Sequence, residues 1–355
     1  MSLHVAVTGT QLGPPSGANR RLLALLQCAA PLLTGDERIT VLHGAGFVPP
    51  PPLPRVAWHA VAIPRGPVLR RAIAERRTLP RLLLQLGVTV LDHGLLPAPR
   101  VPCALVQTIH DLRDVDGHGR WPRWLARAVV RAAAARAATV VVPSEFTQQR
   151  LRAIAAARNV AIIGNGVDPA PAAPPAPAGP LLHVGHLEPR KNLGVLLRAL
   201  ARLPAAQRPE LVLAGADAGD GPRLAALARR LGLLGQVRFL GLVDDARLQQ
   251  LYGSARAVAV PSHCEGFGMC ALEALAHGRP LLAAAAGALP EVAGDQAVLL
   301  PPDDDAAWAA AIAATAPDRG DAAARRAHAA RCSWPAAAAQ LVDVWRAAAL
   351  TTSGR

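Results

Sequence analysis

Lysine is nearly missing from this chain. Lys191 is the single one among 38 basic residues, so every other fixed cation is an arginine. Aromatic residues are scarce too, at 3% against a hydrophobic content of 52%, so the interior must be built of Ala, Leu and Val. The five cysteines (Cys28, Cys103, Cys264, Cys270, Cys332) are odd in number and scattered, and none forms a Cys-x-x-Cys. That pattern argues against a disulfide framework or a structural zinc site. Cys264 and Cys270, with His263 nearby, make only a partial ligand set and read better as small buried thiols. Long apolar runs are missing as well. The mean hydropathy of +0.24 would suit a membrane protein. Yet Leu22–Leu33 and Ala132–Val142 are interrupted by Pro31 and Arg136 and fall short of a ~20-residue span. Arg20-Arg21 ahead of Leu22–Leu33 imitates an export signal, but a strand-like Leu3–Val7 precedes it and the leucines have helical spacing. The expected location is cytoplasmic. No Gly-x-Gly-x-x-Gly follows the first strand, which argues against a dehydrogenase.

What is present is an alternation of short apolar runs and amphipathic helices. At 355 residues the chain exceeds one ordinary core. Strands are expected at Leu3–Val7, Arg38–Leu42, Val88–Leu91, Leu105–Ile109 and Thr139–Val142. A Pro/Ala-rich stretch over 169–180 then excludes helix and central strand. The pattern restarts at Leu181–Val184, Leu211–Ala214, Val237–Leu240, Ala257–Val260, Pro280–Ala283 and Ala297–Leu300. Alternating β and α favours parallel sheets covered on both faces. The expected architecture is α/β, with two doubly wound Rossmann-like domains facing across a cleft and ligands at the carboxyl ends of the strands. Residues 1–168 form the first domain, 169–180 the linker and 181–334 the second domain. Residues 335–355 form a terminal helix and tail that crosses back to the first.

Charge is unevenly placed. Residues 1–170 hold 20 basic and 9 acidic side chains (net +11), whereas residues 171–355 hold 18 and 16 (net +2). Arg65, Arg70, Arg71, Arg76, Arg77 and Arg81 cluster in one segment. Arg120, Arg123, Arg127 and Arg131 make a basic stripe along one helix face. A solvated arginine-rich surface and contact with an anionic membrane both fit this charge. Nucleic acid fits less well, because stacking aromatics are not interleaved.

Two segments carry chemistry. In His183-Val184-Gly185-His186-Leu187-Glu188-Pro189-Arg190-Lys191-Asn192 a strand runs into a turn and then a helix. A guanidinium that forks two oxygens beside a compact ammonium suits a diphosphate. In Val260-Pro261-Ser262-His263-Cys264-Glu265-Gly266-Phe267-Gly268-Met269-Cys270 a strand ends in a glycine-punctuated loop, and a helix then carries Glu273. N–H groups at such a helix start favour an anion, and Gly266 and Gly268 let the backbone approach it.

Glu265-Gly266-Phe267-Gly268 followed by Glu273-Ala274 resembles the Glu-x7-Glu element of the family 4 retaining glycosyltransferases, which have the GT-B fold. Val237-Arg238-Phe239-Leu240-Gly241 and Ala288-Leu289-Pro290-Glu291-Val292 fit the same pattern. So do Thr108-Ile109-His110-Asp111-Leu112, Val142-Pro143-Ser144-Glu145-Phe146 and Asn165-Gly166-Val167-Asp168. The resemblance covers residues 105 to 303 in order, and the wording around His110 and Lys191 is most similar to the mannosyltransferase-like branch. It implies that Arg190 and Lys191 hold the donor diphosphate and that Glu265 faces the transferred sugar. Backbone N–H groups of Gly266, Phe267, Gly268 and Met269 would assist, Glu273 would bind the ribose, and His110 would sit near the anomeric carbon. Gly13 and Gly17 match the loop after the first strand, although Pro14-Pro15 stands where the family has a glycine-rich run.

The implied activity is transfer of a hexose, mannose from GDP-mannose being favoured, to a membrane-linked glycolipid or polysaccharide acceptor, with peripheral contact at the inner face of the cell membrane. No metal is expected: Asp303-Asp304-Asp305 contains an Asp-x-Asp, but helix capping explains it. A nucleotide-sugar epimerase or hydrolase of the same fold, and a non-catalytic nucleotide-binding subunit, remain as alternatives.

Overall fold

A computed structural model describes residues 2–13, 17–119, 121–171, 174, 176–315 and 321–351. Pro14, Pro15 and Ser16 of the first loop, Arg120 of the basic stripe, and Ala172, Ala173 and Pro175 of the proline-rich stretch lie outside the described residues. Contacts divide the chain into two compact units. One comprises the residues up to Gly166 together with those from Ser333 onward, and the other is Val167–Cys332.

The first unit is built on a seven-stranded sheet: β1 (His4–Gly9), β2 (Arg38–Gly44), β3 (Val56–Val61), β4 (Val90–His93), β5 (Ala104–Thr108), β6 (Thr139–Val142) and β7 (Val160–Ile162). Their spatial order is β3-β2-β1-β4-β5-β6-β7, and all pairs are parallel. The second unit has β8 (Leu181–Val184), β9 (Leu211–Ala214), β10 (Val237–Gly241), β11 (Ala257–Val260), β12 (Leu281–Ala284) and β13 (Ala297–Leu300). They run parallel in the order β10-β9-β8-β11-β12-β13. Central strands such as β4, β11 and β12 are buried along their whole length, because helices cover both sheet faces and leave no wet side. Each order grows outward from one strand and then reverses. The reversal falls between β1 and β4 in one sheet and between β8 and β11 in the other, which are the points where doubly wound sheets open a crevice at their carboxyl ends.

Strands β3 and β7 are additions to the sequence-based expectation. Both lie at sheet edges, and their residues are partly exposed, so neither shows the continuous apolar run that marks a buried strand. The segment after Arg20 is a helix, Gly17–Ala29, burying Leu25, Leu26, Ala29 and also Arg21. The last helix, Trp334–Leu350, packs on Gly17–Ala29 and on β4 and β5. Its Trp345 donates from Nε1 to Asp92 at 2.8 Å, and Arg346 pairs with Glu37. Arg71 does not belong to the outward-facing basic cluster. It is 4% exposed, with NH1 donating to both oxygens of the equally buried Glu75.

The three residues of the acidic triplet have separate roles. Asp304 caps the helix Asp305–Ala314, accepting from the amides of Ala306 and Ala307. Asp305 pairs with Arg202, and Asp303 accepts from Asn192 and pairs with His263. Asp304→Ala should therefore lower stability by about 1 kcal/mol, the usual value of such a cap, in urea denaturation followed by circular dichroism.

Candidate active site

The second unit's site forms where β8 and β11 lie side by side. His183, fully buried on β8, is linked through Nδ1 to the carbonyl of Ala259 on β11 at 2.9 Å, fixing the two strand ends together. Burial, and next the charge of Lys191, hold its pKa down to about 4, so the ring is neutral at pH 7. After β8 a single 3-10 turn, Pro189–Lys191, brings Arg190 and Lys191 back toward the sheet, and Asn192 closes it in a left-handed conformation (φ 53°). The amide of His263 donates to the carbonyl of Arg190 at 2.9 Å, so the loops after β8 and β11 are tied through backbone.

Glu265 is the centre of the cluster. Its Oε1 accepts from Lys191 Nζ at 2.6 Å and from Ser262 Oγ at 2.7 Å, and its Oε2 accepts from Arg190 NH1 at 3.1 Å. Arg190 NH1 also donates to the Cys264 carbonyl at 2.9 Å, and NH2 pairs with Glu188 at 2.6 Å. Burial pushes the Glu265 pKa up, but the charges of Lys191 and Arg190 and the bonds from Lys191 and Ser262 outweigh it and hold the pKa at about 2. A carboxyl group with that pKa carries no proton at neutral pH and is too weak a base to take one. Its chemistry is electrostatic: it fixes two cations in register and presents a negative charge.

The loop owes its shape to two glycines. Gly268 (φ 100°) precedes the helix Met269–Ala276, and a Cβ there would lie 2.7 Å from Leu289 Cδ2. Gly287 (φ 62°) passes beneath Glu265 so closely that a Cβ would lie 2.7 Å from its amide nitrogen. Ala288 N donates to the Glu265 carbonyl at 3.0 Å. Phe267 and Gly266 are buried, Met269 is half-buried, and the helix start presents the N–H groups that lack intrahelical partners. Glu273 lies inside that helix, apart from Glu265. Its Oε2 accepts from Tyr252 Oη at 2.7 Å, and Tyr252 stacks on His277 at 4.8 Å. Ser262, Glu188, Gly287 and Tyr252 were given no role by the sequence reading. Ser262 and Glu188 stand in the two quoted segments, but only the folded distances reveal their partners.

His110 belongs to the first unit, just past β5. It is half-buried, and the packing around its ring, followed by the charge of Arg21, lowers its pKa to about 3. The ring is therefore neutral at pH 7. Gly13 lies under the Arg65 guanidinium, whose NH1 would be 2.6 Å from a Cβ there. Gly17 opens its helix with open space where a Cβ would project. Cys264 and Cys270 are both buried, and burial pushes the Cys270 thiol up to about 12. Among the described residues no group of three or more His, Cys, Asp or Glu has the arrangement of a metal site.

Two parallel α/β units, each reversing its strand order, with paired cations and a carboxylate at one reversal, define a doubly wound α/β protein. The family model for Glycosyltransferase Family 4 matches residues 15–171, and that for Glycosyl transferases group 1 matches 175–331. The chain belongs to the family 4 glycosyltransferases of the GT-B fold. It is 40% identical over 188 residues to D-inositol 3-phosphate glycosyltransferase 2 of Catenulispora acidiphila, a match covering 48% of this chain and 44% of that protein. It is 39% identical over 128 residues to O-antigen chain mannosyltransferase B of Escherichia coli, covering 36% and 34%. The chain thus spans less than half the length of the curated relatives it matches. In structure it is similar to a sucrose-phosphate synthase from Thermosynechococcus elongatus, with a TM-score of 0.79 and 21% identity over 97% of this chain and 98% of that one.

Because folding lowers the Glu265 pKa from 4.5 to about 2, its ion pairs stabilise the fold above pH 4.5 and are lost as pH falls toward 2. The shift corresponds to about 3 kcal/mol at most. Glu265→Gln should be clearly less stable than the wild type at pH 7, and urea denaturation should show the difference narrowing as pH is lowered to about 3.

Proposed function

We propose that the chain is a retaining hexosyltransferase that moves mannose from GDP-mannose to a lipid-linked or polysaccharide acceptor without a metal. The observation that carries the transferase reading is the Arg190–Lys191–Glu265 cluster at the reversal between β8 and β11. Breaking a sugar–diphosphate bond builds negative charge on the leaving phosphate and positive charge on the ring. Lys191 and Arg190 meet the first charge and Glu265 the second, already oriented before reaction. Neutral His110 offers a hydrogen bond to the sugar rather than a proton. Glu273 receives the ribose hydroxyls, and the amides from Gly266 to Met269 receive phosphate oxygens. Gly13 and Gly17 border the donor cleft. Likeness to the O-antigen chain mannosyltransferase of Escherichia coli supports mannose. Likeness to the D-inositol 3-phosphate glycosyltransferase favours a second reading, in which the acceptor is a small phosphorylated polyol.

Calorimetric titration of GDP, UDP, ADP and dTDP should give clear binding of one nucleotide, GDP on this reading, weakened in Lys191→Ala. Turnover in that variant should fall about a hundredfold or more, the scale of one lost charge-stabilising donor, and wild-type turnover should survive EDTA. Full activity in Lys191→Ala would overturn the phosphate assignment. Conversion of donor with no acceptor present would favour an epimerase or hydrolase, and binding without turnover a non-catalytic subunit.

Peripheral membrane contact is supported by the helix Arg123–Arg136, on which Trp124 is 72% exposed between the exposed Arg123 and Arg127. No described helix is long and apolar enough to cross a membrane. Binding to vesicles containing anionic lipid should weaken as salt rises from about 0.01 to 0.15 M, and further in Trp124→Ala. Failure to bind even at low salt would leave the small soluble acceptor as the better reading.

A further inference from the structure

The chain has one tyrosine, Tyr252, and it is buried on the helix Asp245–Ser254. Its hydroxyl donates to Oε2 of Glu273 at 2.7 Å. Its ring stacks on His277, with centroids 4.8 Å and planes 21° apart. His277 ends the helix Met269–Ala276 that carries Glu273. Its ring meets the Glu273 carbonyl through Nδ1 at 2.8 Å and the Gln249 side-chain amide through Nε2 at 2.7 Å. Its backbone amide donates to the same carbonyl at 3.1 Å. These contacts close a ring that runs from the Glu273 carboxylate through Tyr252 and His277 back to the Glu273 carbonyl. Gln249, on the same helix as Tyr252, holds the His277 ring from its other side.

Such a closure does more than satisfy a buried carboxylate, which any single donor would do. A glutamate side chain held in one rotamer has lost conformational entropy, and here folding rather than ligand binding meets that cost. A carboxylate accepts along about four directions, so one bond at Oε2 aims it without exhausting it. Two neighbouring hydroxyls can both donate to one carboxylate, but only in a fixed orientation of its plane. The aimed carboxylate also belongs to the neighbourhood of the cation cluster. Cys270, one turn before Glu273, lies under the charges of Lys191, Glu265 and Glu273 together. A ligand held by its phosphates at Arg190 and Lys191 would therefore have its hydroxyl groups within reach of Glu273.

We propose that Tyr252 is a positioning residue that aims Glu273 and so sets how strongly the site prefers a ribonucleotide to its deoxy analogues. The proposal rests on the assignment of Glu273 to the ribose hydroxyls under the transferase reading. The test is calorimetric titration of the full chain with GDP, UDP and ADP, each against its 2′-deoxy and 3′-deoxy counterparts. The ribonucleotide that binds should lose about tenfold or more in affinity when one of these hydroxyls is removed, the scale of a hydrogen bond to a charged group. Tyr252→Phe keeps the ring on His277 and removes only the hydroxyl. In that variant the preference should shrink about threefold or more, through weaker binding of the ribonucleotide and little change for its deoxy counterpart. Gln249→Ala, at an exposed residue, should act in the same direction by less. A Tyr252 that served stability alone would lower Tm and leave the affinity ratio at its wild-type value, which overturns the proposal. Glu273→Gln separates this failure from that of the underlying assignment. If it abolishes the preference and Tyr252→Phe does not, Glu273 binds ribose and Tyr252 does not aim it. If Glu273→Gln leaves the preference intact, or the wild type binds no nucleotide, the ribose assignment fails and the proposal falls with it.

Discussion

A parallel sheet that grows from one strand in both directions must reverse its order once, and at that point the two flanking loops leave toward opposite faces. The crevice between them is a consequence of connectivity, present before any side chain is chosen. In this chain the two reversals explain why residues 74 positions apart, Lys191 and Glu265, meet at 2.6 Å, and why Arg21 and Asp92 line one cavity. The rigid elements come first, and they are made from the least specific residues in the sequence: Ala, Val and Leu on strands with both faces covered. Function then needs only a few polar residues at strand ends.

Holding those residues has an energetic cost. Glu265, Lys191, Arg190 and Glu188 are taken largely out of water, and a buried pair seldom stabilises more than well-packed apolar groups of the same size. Their formal charges cancel, every Glu265 oxygen is hydrogen-bonded, and the Ser262 hydroxyl and Cys264 carbonyl complete the shell. The arrangement is tolerated because it is nearly fully satisfied, and it is useful because it is preorganised. On the proposed reading, a diphosphate would meet cations whose positions are already fixed, so reorganisation would not add to the barrier. The low pKa of Glu265 is the titration signature of the same arrangement.

Much of this was legible in the sequence, and the division follows burial. β6, β8, β9 and β11, inside their sheets, have the boundaries expected from their apolar runs, and so does the edge strand β13, whose four residues are all apolar although Val298 and Leu299 are exposed. β3 and β7, at the edges, were missed because half their surface is wet. The Arg190-Lys191 and Glu265 segments stood out as pieces, but their union did not. Glu265 was expected to face a sugar; the structure gives it hydrogen bonds to both cations as well. Arg71 read as surface charge because its neighbours are, and only the fold turns it inward onto Glu75. Arg21 was hidden in the same way, as the second of two arginines ahead of a leucine run.

The two reversals share a backbone plan and differ in chemistry. At β8/β11 two cations balance Glu265 and Glu188, and a hydroxyl and the amides of a helix start stand beside them, an excess of donors that suits an anionic ligand. At β1/β4 one cation, Arg21, balances one anion, Asp92, with the Thr8 hydroxyl and the Gln11 amide beside them, a mixture of donors and acceptors. Neither arrangement is a property of the fold, since both sheets are wound alike. A doubly wound domain therefore fixes where a ligand binds, and the handful of side chains at the strand ends fixes what it is. In a transferase that division would let one backbone plan, used twice, serve two chemically different partners of a single reaction.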